Sequence, residues 1–277
     1  MRQVFLNADD FGLSESVNEG IEQAYRCGML QGASLMVAGP AVADAVRRAH
    51  TMPALRVGLH LVVIEGVPIL PTVQIPGLVD NQGRFPSDQL RLGLRYFFNS
   101  GVRRQLAAEI RGQFMAFAAT GLQLHHADSH KHMHLHPVVG RMMIEIGREF
   151  GLHRVRIPAE PPSVLAACGD TVGVGAQMLY RWTRLLRRQV RNAGMTANDH
   201  LFGLAWTGHM TAERLLRLTA HLPEGSSEIY FHPASRQDPI LTALMPEYEH
   251  EAELAALLDR RVRAALEAIG KSSATPG

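Results

Sequence analysis

Seven short runs rich in β-branched or apolar residues alternate along the chain with longer segments of helical period, and this alternation constrains the fold more than any other feature. The runs are Gln3–Asn7, Ala33–Val37, Arg56–Val62, Gln123–Asp128, Arg154–Ile157, Leu201–Trp206 and Glu228–His232. Strands separated by helices cannot pair as hairpins, so the pattern predicts βα units in an α/β fold rather than a sandwich. The 277 residues suit one large unit, because α/β barrels of about 250 residues fold as single domains. A composition 46% hydrophobic and 19% charged provides for a sizeable core and excludes a mostly disordered chain.

Helix signals fill the gaps. Ser14 or Ser16 can cap a helix with Val17, Ile21, Ala24 and Tyr25 on its apolar face, and Gly28 reads as its C-terminal cap. Leu106, Ile110, Phe114 and Phe117 mark one face of a helix over about 102–119, and Pro137 can open another that buries Met142, Ile146 and Phe150. Residues 65–100 carry many Pro and Gly and no clear period, which is too long for a plain connector and reads as an inserted functional loop or lid. Its apolar residues, among them Ile69, Leu70, Ile75, Leu78 and Val79, suit either a substrate or the underlying fold. The expected organisation is one catalytic domain over 1–270, followed by a disordered tail at 271–277.

Charge and cysteine usage narrow the partners. Lys and Arg total 28 against 26 Asp and Glu, and a formal charge of +2 speaks against nucleic acid as the main partner. Cys27 and Cys168 cannot make a disulfide framework or a zinc ribbon, which points to a reducing compartment. The amino terminus meets Asp9 and Asp10 where a signal peptide needs an apolar run, and no later stretch offers about 18 uncharged apolar residues. A soluble, cytoplasmic protein is the expectation.

The residues able to do chemistry fall at the ends of predicted strands, where α/β barrels build their active sites. Asp9 and Asp10 follow the run Val4–Leu6; adjacent carboxylates there point different ways, so one can bind a metal while the other accepts a proton. Taken singly, the pair also reads as a turn or helix cap. His60 lies inside an apolar strand, where a lone histidine is most often structural. Six of the 14 histidines, His125, His126, His130, His132, His134 and His136, crowd into residues 125–136 and point to a metal or a proton relay. His232 ends the last run. Together these groups outweigh the structural reading that each allows alone.

On these residues the sequence resembles the YdjC-like carbohydrate deacetylases along nearly its whole length. The matching motifs are Asn7-Ala8-Asp9-Asp10-Phe11-Gly12, Gly58-Leu59-His60, Asp128-Ser129-His130-Lys131-His132-Met133-His134 and His232-Pro233-Ala234. More narrowly it is similar to the hopanoid-biosynthesis-associated branch, on Ala33-Ser34-Leu35-Met36-Val37, Gly58-Leu59-His60-Leu61-Val62, His130-Lys131-His132, Leu135-His136-Pro137 and Phe202-Gly203-Leu204-Ala205-Trp206. The resemblance implies an irregular, seven-stranded (β/α) barrel of the glycoside hydrolase/deacetylase kind. It also implies removal of the acetyl group from N-acetylglucosamine attached to bacteriohopanetetrol.

By motif, the resemblance makes Asp10, His60 and His130 the ligands of one divalent metal, Asp9 the general base and His232 the general acid. His132, His134 and Arg156 are expected against the substrate. An Asp, His, His set suits Zn²⁺, Co²⁺ or Mn²⁺, while the family is also described with Mg²⁺, for which two imidazoles are unusual. Lys131 stands where many relatives have a third histidine, which fits the hopanoid branch; His209 reads as structural.

A glycosylated hopanoid lipid substrate raises the expectation of peripheral contact at the inner face of the membrane. Two segments suit it: residues 90–98, with Arg91 and Arg95 beside a dense apolar set, and 181–191, with Arg181, Arg184, Arg188 and Arg191 at helical spacing. Each also reads as an ordinary solvated face. Two other functions compete, a deacetylase of soluble chitin-type oligosaccharides and a non-catalytic metal or sugar binder. The presence of both Asp9 and His232 weighs against the binder. The oligomeric state is not legible.

Overall fold

The computed structural model describes residues 1–272. Six strands, β1 (Arg2–Phe11), β2 (Gly32–Leu35), β3 (Arg56–Leu61), β4 (Ala127–Ser129), β5 (His200–Phe202) and β6 (Gly225–Phe231), form one parallel sheet in the order β4-β3-β2-β1-β6-β5. Around it run helices α1 (Glu15–Arg26), α2 (Val42–His50), α3 (Gln89–Phe98), α4 (Ser100–Ala119), α5 (Pro137–Glu149) and α6 (Pro162–Ala167). Helices α7 (Val174–Asn192), α8 (Ala212–His221), α9 (Pro239–Leu244), α10 (His250–Leu258) and α11 (Arg260–Ser272) complete the cover. Burial on both faces explains the near-continuous apolar strands: β1 is fully enclosed from Phe5 onward.

The sheet has six strands, not the seven expected, and curls as a half-barrel. The missing one is Arg154–Ile157, which makes only isolated pairings. Arg156 N–H donates to the Ala127 carbonyl (3.1 Å) and Val155 N–H to that of Thr196 (3.0 Å). Beyond that, the Asn198 amide takes the place of a strand partner, accepting from Ile157 N–H and donating to the Ile157 carbonyl, both at 2.8 Å. Pro158, which has no N–H, then ends any ladder. The expected strand Leu201–Trp206 stops at Phe202, because Glu160 accepts the N–H groups of Gly203, Leu204 and Ala205 and turns the chain. Gly203 adopts φ 122° there, with the Tyr230 ring 2.9 Å from where a Cβ would sit.

Local helix signals operate as expected at Ser14, whose hydroxyl caps α1 by accepting Val17 N–H, and at Pro137 in the first turn of α5. The C-cap of α1 is Cys27, and Gly28 follows it. The 65–100 region is anchored to the body, and Glu65, Gly66, Val67, Gln82 and Arg84 within it line the main cavity. Ile75, Leu78 and Phe85 are buried, Tyr96 on α3 donates its hydroxyl to the Val63 carbonyl (2.7 Å), and Glu109 on α4 accepts the N–H groups of Ile69 and Leu70. At the carboxyl end, α11 covers residues 271 and 272; the rest of the expected tail lies outside the described residues. No helix among the described residues is long and apolar enough to cross a membrane.

Candidate metal centre and cleft

Strand β1 delivers both aspartates to one end of the sheet. Asp9 keeps extended backbone, whereas Asp10 sits at φ 63°, where the register against β2 slips between Ala8 and Phe11. This slip at a left-handed residue sends the two neighbouring carboxylates to different partners. Asp10 Oδ1 lies 3.3 Å from His60 Nε2 at the end of β3 and 3.3 Å from His130 Nδ1 just after β4. Ligand atoms of the three residues fall within 4.8 Å of one another.

The surroundings fix that triad. His60 Nδ1 pairs with Asp128 Oδ1 on β4 at 2.7 Å, so a carboxylate orients the ring and leaves Nε2 directed at Asp10. Asp128 Oδ2 in turn meets the Ser34 hydroxyl at 2.8 Å and Arg156 at 2.7 Å. Arg156 is enclosed; it clamps Asp9 through two 2.7 Å bonds, reaches Glu228 on β6 at 2.7 Å, and lies over the Tyr230 ring. One guanidinium therefore links the orientation of Asp9 to that of Asp128.

Three buried carboxylates, Asp9, Asp128 and Glu228, share this one guanidinium, and the buried Asp10 lies outside its reach. Burial alone would lower the His60 pKa, but the Asp128 charge and the contacts with Asp10 and Asp128 raise it to about 10. Burial would raise Asp10, yet His130 and His60 hold it well below the ordinary carboxylate range. Neither oxygen of Asp10 has a hydrogen-bond partner, although both are buried. An excess of negative charge around two orphaned oxygens and two imidazole nitrogens fits a divalent cation. Asp9, His60 and Asp128 also cluster tightly, but Arg156 engages both of those carboxylates.

A cavity of about 970 Å³ opens onto the centre. Asp9, His60, His130, His132 and His232 line it, with Leu13, Met36, Leu204, Ile240, Leu244 and Met245 forming apolar wall. His232, at the end of β6, is held through its backbone: Glu253 accepts its N–H and His250 Nδ1 pairs with its carbonyl at 2.7 Å. Burial lowers the His232 pKa, against an opposing pull from Asp10 and Asp9. His132 faces Tyr230, with its Nε2 3.4 Å from the phenol oxygen, and burial keeps it neutral. Lys131 pairs with Glu65 at 2.5 Å and ties the 65–100 region to the turn that carries His130.

The expected site residues thus divide. Asp9, Asp10, His60, His130, His132 and His232 converge. His134 and Arg156, expected against the substrate, are enclosed and fully engaged: His134 Nδ1 pairs with Ser129 (2.6 Å) and its Nε2 with the Arg156 carbonyl (3.0 Å). Of the remaining clustered histidines, His126 sits over Gly58, where a Cβ would come 2.5 Å from the ring, and pairs with Ser34. His125 contacts His126, and His136 packs against Tyr96 and Phe97. The sequence assigns no role to Asp128, Glu228 or Glu253. Asp128 heads the motif Asp128-Ser129-His130, and Glu228 stands directly before the apolar run Ile229-Tyr230-Phe231, which are the signals available for them.

A six-stranded parallel sheet curled as a half-barrel, with this centre at the carboxyl ends of its strands, defines an α/β protein with a cleft above the sheet. Within that class the chain belongs to the YdjC-like protein family, whose model matches residues 3–268. A carbohydrate deacetylase of Brevibacillus brevis is 38% identical over 160 residues, 58% of this chain and 59% of that protein. One from Thermoanaerobacter pseudethanolicus is 26% identical over 262 residues, covering 95% and 93% of the two chains. Among solved structures, an Enterococcus faecalis protein whose name proposes cellobiose-phosphate cleavage superposes with a TM-score of 0.76 at 23% identity, over 97% of this chain and 95% of that one. This last likeness concerns the fold alone.

Proposed function

We propose that the protein is a metal-dependent carbohydrate N-deacetylase that hydrolyses the acetamide of an N-acetylated amino sugar. The observation that carries this reading is the pair of unpartnered Asp10 oxygens facing His60 and His130 on a cleft that also presents Asp9 and His232. Membership of a family with relatives named carbohydrate deacetylases supports it.

Asp10, His60 and His130 would hold the cation. When bound, a divalent cation supplies Lewis acidity toward the acetyl carbonyl and lowers the pKa of water. Asp9 accepts the proton of the attacking water on a carboxylate whose plane Arg156 fixes. His232 delivers a proton to the departing nitrogen; its lowered pKa makes the imidazolium a stronger acid, which suits a poor leaving group. His132 and Tyr230 bound the substrate side. The donor set favours Zn²⁺, Co²⁺ or Mn²⁺ over Mg²⁺.

For the substrate we propose acetylglucosaminyl-bacteriohopanetetrol, a sugar on a hopanoid lipid. The apolar wall formed by Met36, Leu204, Ile240 and Leu244 supports an apolar aglycone, because a free oligosaccharide gains little from such surface. The test is mass spectrometry of the purified protein incubated with that glycolipid and, separately, with diacetylchitobiose, each with and without chelator. Loss of one acetyl group from the glycolipid, abolished by chelator, is the expected result. Reaction with the disaccharide alone would keep the chemistry and overturn the substrate; no reaction with either would overturn the activity.

A further inference from the structure

Helices α3 and α7 each carry a second apolar face that the rest of the protein leaves uncovered. In α3, Leu92 and Tyr96 point inward, whereas Leu90, Leu94, Phe97 and Phe98 share another face, Leu90 being 75% and Phe98 74% exposed. In α7 the inward residues are Thr183, Leu186 and Val190; Val174, Met178, Trp182 and Leu185 form an outward stripe. The two faces meet across one short stretch of chain. The Phe97 ring centroid lies 6.2 Å from that of His136, and the Trp182 indole donates to the Leu135 carbonyl at 2.9 Å. That stretch ends the turn whose beginning, His130–His132, lines the cleft.

The charge beside this patch is mostly positive, with Asp88, the N-cap of α3, as an acidic neighbour. Arg181, Arg184, Arg188 and Arg191 flank the α7 stripe, and their guanidinium groups make no hydrogen bond or ion pair among the described residues. Neither helix contains an Asp or Glu. A contiguous exposed set of Leu, Phe, Met and Trp rarely survives without an interaction role. A second copy is a poor occupant, because a two-fold interface would bring two arginine rows together with Asp88 as the one carboxylate at the edge of the patch. Apolar and aromatic side chains bordered by unpaired arginines match an acyl boundary beneath anionic headgroups.

We infer that the α3–α7 face docks on an anionic lipid bilayer, which brings the mouth of the cleft beside the membrane surface. The inference does not depend on the proposed reaction. The test is co-sedimentation of the protein, without substrate, with phosphatidylcholine vesicles that contain or lack phosphatidylglycerol. Pelleting with the anionic vesicles only, reversed by raised salt, is expected.

Each arginine near an anionic surface contributes about fivefold to partitioning. R181Q/R184Q/R188Q/R191Q is therefore expected to bind more than about a hundredfold more weakly, and L94S/F98S/W182S to lose binding as well, both with circular dichroism like that of the unsubstituted protein. Trp206 is 4% exposed and Trp182 51%, so a blue shift of tryptophan emission on adding vesicles reports Trp182 entering the interface. No pelleting with anionic vesicles, undiminished binding by both variants, or a lipid-free dimer in light scattering that both variants abolish would each overturn the inference.

Discussion

Replacing Asp128 by Asn tests whether the centre is organised from outside the triad. The amide is nearly isosteric with the carboxylate but asymmetric. In the native protein one oxygen faces His60 Nδ1 at 2.7 Å, and the other faces Arg156 and the Ser34 hydroxyl at 2.7 and 2.8 Å. If the Asn NH₂ faces His60, it donates to Nδ1, forces the ring proton onto Nε2 and removes the lone pair that faces Asp10. If it faces the other way, a donor opposes the guanidinium. Either orientation costs the centre its second carboxylate without opening a cavity, and Arg156 keeps Asp9 and Glu228. Loss of such an orienting partner lowers metal affinity by about 10- to 100-fold, on the order of 1.4 to 2.7 kcal/mol. Competition of the purified variant against a Zn²⁺ chelator measures this directly, with thermal melts of metal-free protein as a control for folding. Zn²⁺ binding by Asp128→Asn equal to that of the native protein would refute the reasoning.

Other substitutions separate the neighbouring roles. Asp10→Ala should remove both metal binding and turnover, whereas Asp9→Asn should keep metal binding and lose nearly all turnover; native turnover in Asp9→Asn would sink its assignment as base. Glu160 is buried, and burial raises its pKa to about 7 despite the three N–H groups it accepts. The proton it holds when folded stabilises fully below about pH 4.5, and that contribution, on the order of 3 kcal/mol, is lost as pH rises toward 7. Melting temperatures should therefore fall across that window more steeply for the native protein than for Glu160→Gln; parallel curves would contradict this. Gly58→Ala should destabilise by about 1–3 kcal/mol, because its Cβ would meet the His126 ring at 2.5 Å, and denaturant melts showing no loss would mean the ring has room to move.

Much of the centre could be read from sequence because its residues sit at strand ends. Asp9, Asp10, His60 and His232 each close an apolar run, so the local pattern reports both the strand and the direction of the site. The second layer was opaque for the opposite reason. Asp128 matters through His60, 68 positions away, and Arg156 through Asp9, 147 positions away, separations that no periodicity records. Within a histidine-rich stretch nothing local distinguishes a ring facing the cleft from one, such as His134, engaged by Ser129 and a backbone carbonyl. The seventh strand failed because side-chain bonds from Asn198 imitate ladder pairing. Residues 65–88 lack a readable period because their core residues, Ile75, Leu78 and Phe85, are isolated anchors rather than a repeating face.

Every non-glycine residue with positive φ among the described residues, Asp10, Glu65, Lys131 and His132, belongs to the centre or to the rim of its cleft. Held conformations of this kind cost of order 1–3 kcal/mol each and persist only where surrounding structure enforces them. The consequence concerns engineering. Glycine at Lys131 or Glu65 would relieve the backbone but break the ion pair between them, leaving His130 and His132 with more than one resting position. Thermostable versions of this protein should therefore be sought in its helices and outer loops, because relaxing the four left-handed positions loosens the centre.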